Sequence, residues 1–286
     1  MNYKRIFILI ILVLMISNLM YGVESSGQKK TTHKKTTTLR TDIKKVKKKI
    51  SQVKKKSVKK KVIAKKSVKT KEKKYDDDFA ARKPGTNYVA EVLADEKGNV
   101  VSGDNEETLH PIASLTKLMT TLIAIEEIEK GRIKEEDKVY VSKEAARLGG
   151  SISGIRYNEY VTMEDLLKSA IVKSCNDSAY LIGKYVGGSE EKFIKRMNER
   201  AEQLGMAKTK FYSSSGLPPY YYDRAGIVLS GRNYDVSTAA DMAKLAAEVV
   251  KHKMYMDIAS QYYTTIKNGK VTLRNHNQLL TKYDCI

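Results

Sequence analysis

The chain has 286 residues and a formal net charge of +20 at pH 7. Residues 25–75 hold 21 Lys and one Arg against Asp42 and Glu72, so this segment carries a net charge of +20 and the rest of the chain is close to neutral. The length suits one sizeable domain with extensions rather than two full domains. The two cysteines, Cys175 and Cys285, are too few for a disulfide framework, which excludes the small disulfide-stapled scaffolds.

The N-terminal residues 1–24 have the pattern of an export signal. Lys4 and Arg5 precede the apolar run Ile6–Met15, and small or polar residues follow it. We predict a signal peptide. An uncleaved signal anchor is the alternative, because Met20-Tyr21-Gly22 is a poor cleavage site. In either case we expect the rest of the chain to be exported to the cell envelope.

Residues 25–78 form a low-complexity arm of Lys, Thr, Ser and Val. Such a segment buries too little apolar surface to offset the entropy of ordering it, and its like charges repel. We predict a disordered arm that is either a solvated spacer or a site for anionic lipid or an anionic wall polymer. Nucleic acid is not expected as a partner, because an exported chain rarely meets it.

Residues 79–286 read as one α+β domain with helices packed on an antiparallel sheet. A hairpin is predicted around Lys97-Gly98-Asn99 and another at Asn268-Gly269, which is a strong turn signal. Helical segments with capping residues lie between the hairpins; they start near Ser114, Thr162, Ser189 and Ser237. The three tyrosines Tyr220–Tyr222, beside two prolines, are predicted to lie in an exposed loop.

Ser114 and Lys117 open a strongly apolar helix, and residues three apart share a helix face. The chain contains five Ser-x-x-Lys pairs, so the spacing alone is weak evidence, and a plain helix cap at Ser114 is the alternative. Burial among apolar neighbours favours a neutral lysine, which can take the serine proton and activate the hydroxyl without a histidine. A second element, Ser174-Cys175-Asn176, follows another helix and fits the serine acyltransferases that combine these two motifs.

Several longer segments carry a resemblance to a known family. "HPIASLTKLMT", "VTMEDLLKSAIVKSCNDSAYLIGKYVGG" and "GMAKTKFYSSSGLP" resemble the D-alanyl-D-alanine carboxypeptidases, the low-molecular-weight penicillin-binding proteins, and "YDVSTAADMAKLA" and "LRNHNQLL" resemble later parts of the same family. The resemblance covers about residues 85–284. It implies a β-lactamase/transpeptidase-like domain, peptidoglycan stem peptides as substrates and β-lactams as covalent inhibitors.

The resemblance also implies roles for four residues. Ser114 would attack the carbonyl of the penultimate D-alanine, with Lys117 as its general base. Ser174 would relay a proton to the leaving D-alanine, and Asn176 would hold the substrate amide and help to orient the lysine. This chemistry needs no metal or cofactor, and the four histidines show no metal-ligand spacing.

The third motif of the family, Lys-Thr-Gly, is not found in the 286 residues. In the family it supplies a cation for the substrate carboxylate and an oxyanion donor, and the loss of one such donor costs about 100- to 1000-fold in rate. We therefore expect a domain incomplete at its C-terminus and impaired as given.

Two alternatives remain open from the sequence. A class A β-lactamase-like hydrolase would share the first two motifs, although the segment after Asn176 resembles the carboxypeptidases instead. A non-catalytic cell-wall-binding envelope protein would use the basic arm for attachment and keep the domain only for binding.

Overall fold

A computed structural model of the protein describes residues 90–231 and 233–281. The predicted signal and the lysine-rich arm lie outside these ranges. Within them, helices pack with short antiparallel strand pairs, which confirms the α+β class. None of the helices in the described ranges is both long and apolar enough to cross a membrane.

The first strand pair is the predicted hairpin. Strands β1 (Glu91–Ala94) and β2 (Val100–Asp104) pair in antiparallel fashion, and Gly98 in the turn has a φ of +82°. A Cβ on Gly98 would lie 2.7 Å from the backbone of Lys244. Glycine therefore serves here both the turn and the close approach of the hairpin to a later helix.

Within residues 90–231 and 233–281, six further strands form three more antiparallel pairs, rather than the single sheet that the sequence suggests. They are β3 (His110–Pro111) with β6 (Val236–Ser237), β4 (Lys138–Tyr140) with β5 (Tyr160–Thr162), and β7 (Tyr263–Ile266) with β8 (Val271–Arg274). The last pair is the second predicted hairpin, and its turn has positive φ at Lys267, Asn268 and Gly269. The β3–β6 pair matters most for function, because it joins the chain just before Ser114 to the chain around Asp235.

Seven α-helices lie in the described ranges. They are α1 (Thr116–Glu129), α2 (Met163–Val172), α3 (Asn176–Gly187), α4 (Glu190–Gln203), α5 (Pro219–Ala225), α6 (Ala239–Val249) and α7 (Lys253–Ala259), with short 3-10 turns at Ala113–Leu115, Ala145–Arg147 and Gln278–Thr281. The predicted caps are confirmed for α2 and α4: the Thr162 hydroxyl accepts from the Asp165 N–H and the Ser189 hydroxyl from the Lys192 N–H.

Helix α1 is central to the core and is buried on nearly all sides, including Met119, Leu122 and Ile125. It packs against α2, α3, α4, α6 and α7. A helix held from so many directions gives a rigid base for the residues at its N-terminal end. Ser114 and Lys117 are at that end.

The prediction of an exposed loop at Tyr220–Tyr222 is wrong. Pro219 begins helix α5, a position that suits proline because its missing N–H would have no partner there in any case. Tyr222 is completely buried and Tyr220 is half exposed. The helix thus carries tyrosine side chains both into the core and out to the surface.

Candidate active site

Ser114 lies in the 3-10 turn that leads into α1, and it does not cap the helix, since neither the turn nor the helix has a side-chain cap at its N-terminus. Ala113, just before it, has a φ of +43°, a conformation rare for residues other than glycine. Gly216 approaches so closely that a Cβ there would lie 1.8 Å from the Ala113 carbonyl oxygen. The backbone at the serine is therefore fixed in an unusual conformation by a neighbouring loop.

The amine of Lys117 reaches the serine hydroxyl. The distance from Lys117 Nζ to Ser114 Oγ is 3.0 Å, and the amine also donates to the Ser215 carbonyl oxygen at 2.8 Å. Only 4% of Lys117 is exposed, and burial lowers the pKa of its amine from 10.5 to about 7, against the opposing charges of nearby groups such as Asp235. A neutral amine is thus well populated near pH 7, as a general base requires.

The Ser215 carbonyl belongs to the segment Ser213–Gly216, and a buried acid holds the start of that segment. Asp235 accepts hydrogen bonds from the N–H and the hydroxyl of Ser213, at 2.9 and 2.8 Å. The same carboxylate accepts from the Thr116 hydroxyl at 2.8 Å, next to the catalytic lysine candidate. Burial raises the pKa of Asp235 to about 6, although these donors favour its charged form.

A second buried acid and a tyrosine hold the middle of the segment. Glu190 accepts from the N–H and the hydroxyl of Ser214, each at 2.9 Å. The Tyr222 hydroxyl is hydrogen-bonded to the Ser215 hydroxyl at 2.7 Å. Burial raises the pKa of Glu190 to about 7. Each of the three serines therefore has its own buried partner, and together these partners fix the carbonyl that binds Lys117.

The second motif forms a tight bend between α2 and α3. Ser174 has a φ of +57°, and Ser151 bridges the bend on both sides: its hydroxyl donates to the Lys173 carbonyl oxygen at 2.8 Å and its carbonyl accepts from the Asn176 N–H at 2.8 Å. The Asn176 side-chain amide donates to the Gly149 carbonyl oxygen at 2.9 Å.

The first motif is held by the segment Ser213–Gly216 and the second by Gly149 and Ser151, and no hydrogen bond joins the two motifs in the part of the chain that the structure describes. Within residues 90–231 and 233–281, the Ser174 hydroxyl makes no hydrogen bond to Ser114 or Lys117. The lysine amine is oriented by Ser215, whereas the resemblance implies that Asn176 helps in this task. Asp177, which directly follows Asn176, accepts hydrogen bonds from the N–H and the hydroxyl of Ser153 and so supports the second motif.

The residues that support the lysine are not among those predicted from the sequence; they are Glu190, Ser215, Tyr222 and Asp235. One signal was available: three consecutive serines followed by glycine, "SSSG", form an unusual polar run two residues after Phe211, which is fully buried. Nothing in the local sequence shows which acids such a run would meet.

Among the residues that the structure describes, one cluster of potential metal ligands is formed by Glu126, Glu248 and His252. The Arg200 guanidinium lies between the two carboxylates and donates to Glu126 at 2.7 Å and to Glu248 at 2.8 Å. This arginine already supplies the positive charge that a metal ion would bring. The cluster is accounted for as an ion-pair network between α1, α4 and α6.

The arrangement around Ser114 has the features that acyl transfer requires. A hydroxyl lies at the N-terminal end of a buried helix, a desolvated lysine is within hydrogen-bonding distance of it, and a supporting loop holds the lysine; this arrangement is typical of serine enzymes of the Ser-x-x-Lys class. The comparisons with known proteins make this class more specific.

A profile of the D-alanyl-D-alanine carboxypeptidases matches residues 79–285. The chain belongs to the D-alanyl-D-alanine carboxypeptidase family, which confirms the resemblance. It is 32% identical over 197 residues to the carboxypeptidase DacF of Bacillus subtilis, covering 68% of this chain and 47% of that protein. It is 33% identical over 205 residues to DacC of Escherichia coli, covering 69% and 48%. The chain spans about half the length of these relatives.

Solved structures of penicillin-binding proteins are similar to this chain in fold. Penicillin-binding protein 6B of Escherichia coli is 28% identical, with a TM-score of 0.58 over 71% of this chain and 62% of that one. Penicillin-binding protein D2 of Listeria monocytogenes, solved in an ampicillin-bound form, is also 28% identical, with a TM-score of 0.57 over 68% and 73%. These neighbours confirm the transpeptidase-like fold and favour the carboxypeptidase over the β-lactamase-like alternative.

Proposed function

We propose that the protein is a serine-type D-alanyl-D-alanine carboxypeptidase that removes the terminal D-alanine from peptidoglycan stem peptides through an acyl-enzyme on Ser114. The observation that carries this proposal is the 3.0 Å contact between Ser114 Oγ and the buried Lys117 amine. Membership of the family supplies the substrate class.

In the first step the neutral Lys117 amine takes the proton of the Ser114 hydroxyl, whose oxygen attacks the carbonyl carbon of the penultimate D-alanine. The peptide bond to the last D-alanine then breaks, and its nitrogen leaves as an amine after receiving a proton. The Ser215 carbonyl keeps the lysine amine in place throughout, because it accepts a second hydrogen bond from Nζ. Water then hydrolyses the ester and restores the serine.

The proposed mechanism also gives roles to Ser174 and Asn176. The bend that Ser151 bridges presents Ser174, whose hydroxyl would carry the proton to the leaving amine. Asn176 would bind the substrate amide with its side chain, which is held against Gly149 in the absence of substrate. Both assignments rest on the family motif together with the position of the bend.

The partners and location follow from the same proposal. β-Lactams would acylate Ser114 as substrate mimics, in line with the ampicillin-bound neighbour. The protein would act in the cell envelope after export by its N-terminal segment, and the lysine-rich arm would serve as a spacer or bind an anionic lipid or wall polymer.

The test is covalent labelling of the 286-residue chain with ampicillin, followed by intact-protein mass spectrometry. We expect a mass increase of one ampicillin on the wild type and none on Ser114→Ala. Ser189→Ala is the matched control, because Ser189 and Lys192 form another Ser-x-x-Lys pair whose serine only caps α4. The Lys-Thr-Gly motif is not among these residues, so slow labelling over hours is expected.

A second measurement separates catalysis from binding alone. Release of D-alanine from a peptide ending in D-alanyl-D-alanine, abolished by Ser114→Ala, supports the carboxypeptidase. Ampicillin turned over quickly with no lasting adduct would support the β-lactamase-like alternative. Labelling that persists in Ser114→Ala would refute the nucleophile assignment. If neither labelling nor release occurs and wall binding is unaffected by Ser114→Ala, the non-catalytic alternative replaces the proposal.

A further inference from the structure

Asp235 is hydrogen-bonded to the chain on both sides of the candidate nucleophile. Its backbone carbonyl accepts a hydrogen bond from the Ile112 N–H at 3.0 Å, and its carboxylate accepts one from the Thr116 hydroxyl at 2.8 Å. Ile112 and Thr116 are each two residues from Ser114. A buried acid is therefore fixed beside the turn that carries Ser114 and beside the first turn of α1, in which Lys117 lies.

The same carboxylate also contacts the segment that binds the lysine amine. It accepts from the N–H and the hydroxyl of Ser213 at 2.9 and 2.8 Å, and two residues later the Ser215 carbonyl accepts from the Lys117 amine at 2.8 Å. Asp235 and Lys117 are each only 4% exposed. Because both groups are almost completely removed from water, a charge on one acts on the other with little screening.

Other ionisable side chains are buried around this pair: Cys175 and Asp177 at the start of α3, Glu190 on α4 and Tyr222 on α5. Burial raises the pKa of the Cys175 thiol to about 12 and raises that of the Tyr222 hydroxyl further above its usual value, so both are neutral near pH 7. Asp177 and Glu190 each accept from the N–H and the hydroxyl of one serine. Asp235 differs from these two acids because it is bonded to the residue that precedes the lysine.

We propose that Asp235 is a positioning residue that acts through Lys117, and that its negative charge stabilises the ammonium form of the lysine when the amine takes the serine proton. This inference rests on the proposed function. In that step the O–H bond of Ser114 breaks, an N–H bond forms at Nζ, and the serine oxygen bonds to the substrate carbonyl carbon. Asp235 gains no proton. A fixed charge in a buried site stabilises a developing opposite charge more than water does.

The charge of Asp235 opposes the effect of burial on the lysine. Burial lowers the pKa of the Lys117 amine to about 7, and the nearby carboxylate keeps this pKa from falling further. Without the carboxylate the amine would be neutral down to a lower pH but would be a weaker base, and a weaker base takes the serine proton more slowly. A residue that only supported the loop would slow the reaction without moving its pH dependence.

Asp235→Asn removes the charge and keeps the shape of the side chain. The amide oxygen can still accept from the N–H groups of Tyr212 and Ser213, and the amide nitrogen can donate to the hydroxyls of Thr116 and Ser213, which accept as well as donate. The ampicillin labelling rate of the full chain is measured as a function of pH. We expect the midpoint of its rise to move down by roughly one pH unit, and the rate above the midpoint to fall by roughly three- to tenfold.

Asp241→Asn is the matched control. Asp241 is also 4% exposed, and it accepts from the Lys208 N–H, the Thr209 hydroxyl and the Lys244 amine. It therefore has a similar burial and a similar set of donors, but these donors belong neither to α1 nor to the segment Ser213–Gly216. The midpoint of labelling should stay unchanged in this variant, and an equal shift in both variants would overturn the inference.

Titration of the two side chains by NMR gives a readout that needs no turnover. In the full chain labelled with ¹³C at lysine Cε, the Lys117 signal is identified by its loss in Lys117→Met, and its midpoint should fall in Asp235→Asn. The coupling between two sites is reciprocal. Lys117→Met should therefore raise the midpoint of the Asp235 carboxyl, followed by ¹³C at aspartate Cγ and identified by its loss in Asp235→Asn.

The outcomes separate this inference from the proposed function. Midpoints that shift as described, in a chain that releases no D-alanine, would refute the carboxypeptidase and support the charge coupling. Normal release with an unmoved lysine midpoint in Asp235→Asn would refute only the coupling, even if labelling becomes slower. If Asp235→Asn does not fold, an Asp235 midpoint, followed by its pH-dependent aspartate signal, that is the same in Lys117→Met and the wild type would overturn the inference. Absence of labelling, release and any shift would refute both.

Discussion

We predict that the position of the Lys117 amine depends on the hydroxyl of Tyr222, because this hydroxyl holds Ser215. The substitution Tyr222→Phe removes the hydroxyl and keeps the ring. The hydroxyl is hydrogen-bonded to the Ser215 hydroxyl at 2.7 Å. A net hydrogen bond between neutral groups contributes about 1 kcal/mol. We therefore expect Tyr222→Phe to lower the free energy of unfolding by about 1 kcal/mol.

The assay is urea unfolding of the full chain at pH 7, followed by circular dichroism, with the ampicillin labelling rate measured in parallel. Release of Ser215 should let the Lys117 amine move away from Ser114, and misplacement of a catalytic group by about 1 Å can cost roughly 100-fold. We therefore expect slower labelling as well as lower stability.

Tyr180→Phe is the control for this prediction. Tyr180 is also buried, and its ring meets that of Tyr222 edge to face at 6.4 Å. Among the described residues its hydroxyl has no hydrogen-bond partner, so its removal should be nearly neutral. Equal effects of Tyr222→Phe and Tyr180→Phe on stability and labelling would refute the idea that this hydroxyl positions the lysine.

Three further outcomes are expected. Gly216→Ala should lower the free energy of unfolding by about 3 kcal/mol and abolish labelling, because the added Cβ would lie 1.8 Å from the Ala113 carbonyl oxygen. Gly188→Ala is the control: Gly188 has a similar φ of +75° but open space around it, so the same urea titration should show a loss of only about 1 kcal/mol. The labelling rate should rise with pH through about 7, where the Lys117 amine becomes neutral, and a rate independent of pH would contradict its role as base. Glu190 has its pKa raised from 4.5 to about 7, so the folded state retains a proton that the unfolded state loses; its contribution to stability is full below 4.5 and is lost as the pH rises through 7. Glu190→Gln should remove this slope from a series of unfolding curves, and an unchanged slope would assign it to other groups.

Turns and helix caps could be predicted from the sequence. The turns at Gly98 and Asn268 and the caps Thr162 and Ser189 appear where they were expected, because each depends on hydrogen bonds or backbone angles within a few residues. The pair of Ser114 and Lys117 was likewise predictable, since three residues on one helix bring them together.

The support of the lysine could not be predicted, because it depends on contacts between distant parts of the chain. Asp235 is 119 residues from Thr116, to which it is bonded, and Ser215 is 98 residues from Lys117. Tyr222 was wrongly expected at the surface, since two prolines suggested a loop. The structure instead uses the second proline to begin a helix, which turns one of three tyrosines inward.

The pairing of the segment Ser213–Gly216 with its partners depends more on the number of residues in the segment than on any one of its side chains. Its successive residues meet four different partners: Asp235, Glu190, Tyr222 and the Ala113 carbonyl. Replacement of one serine by alanine removes one of these contacts and leaves the others in register. Deletion of one residue would shift every following residue onto the wrong partner, so in a comparison of chains that keep this site, gaps within these four positions should be rarer than substitutions.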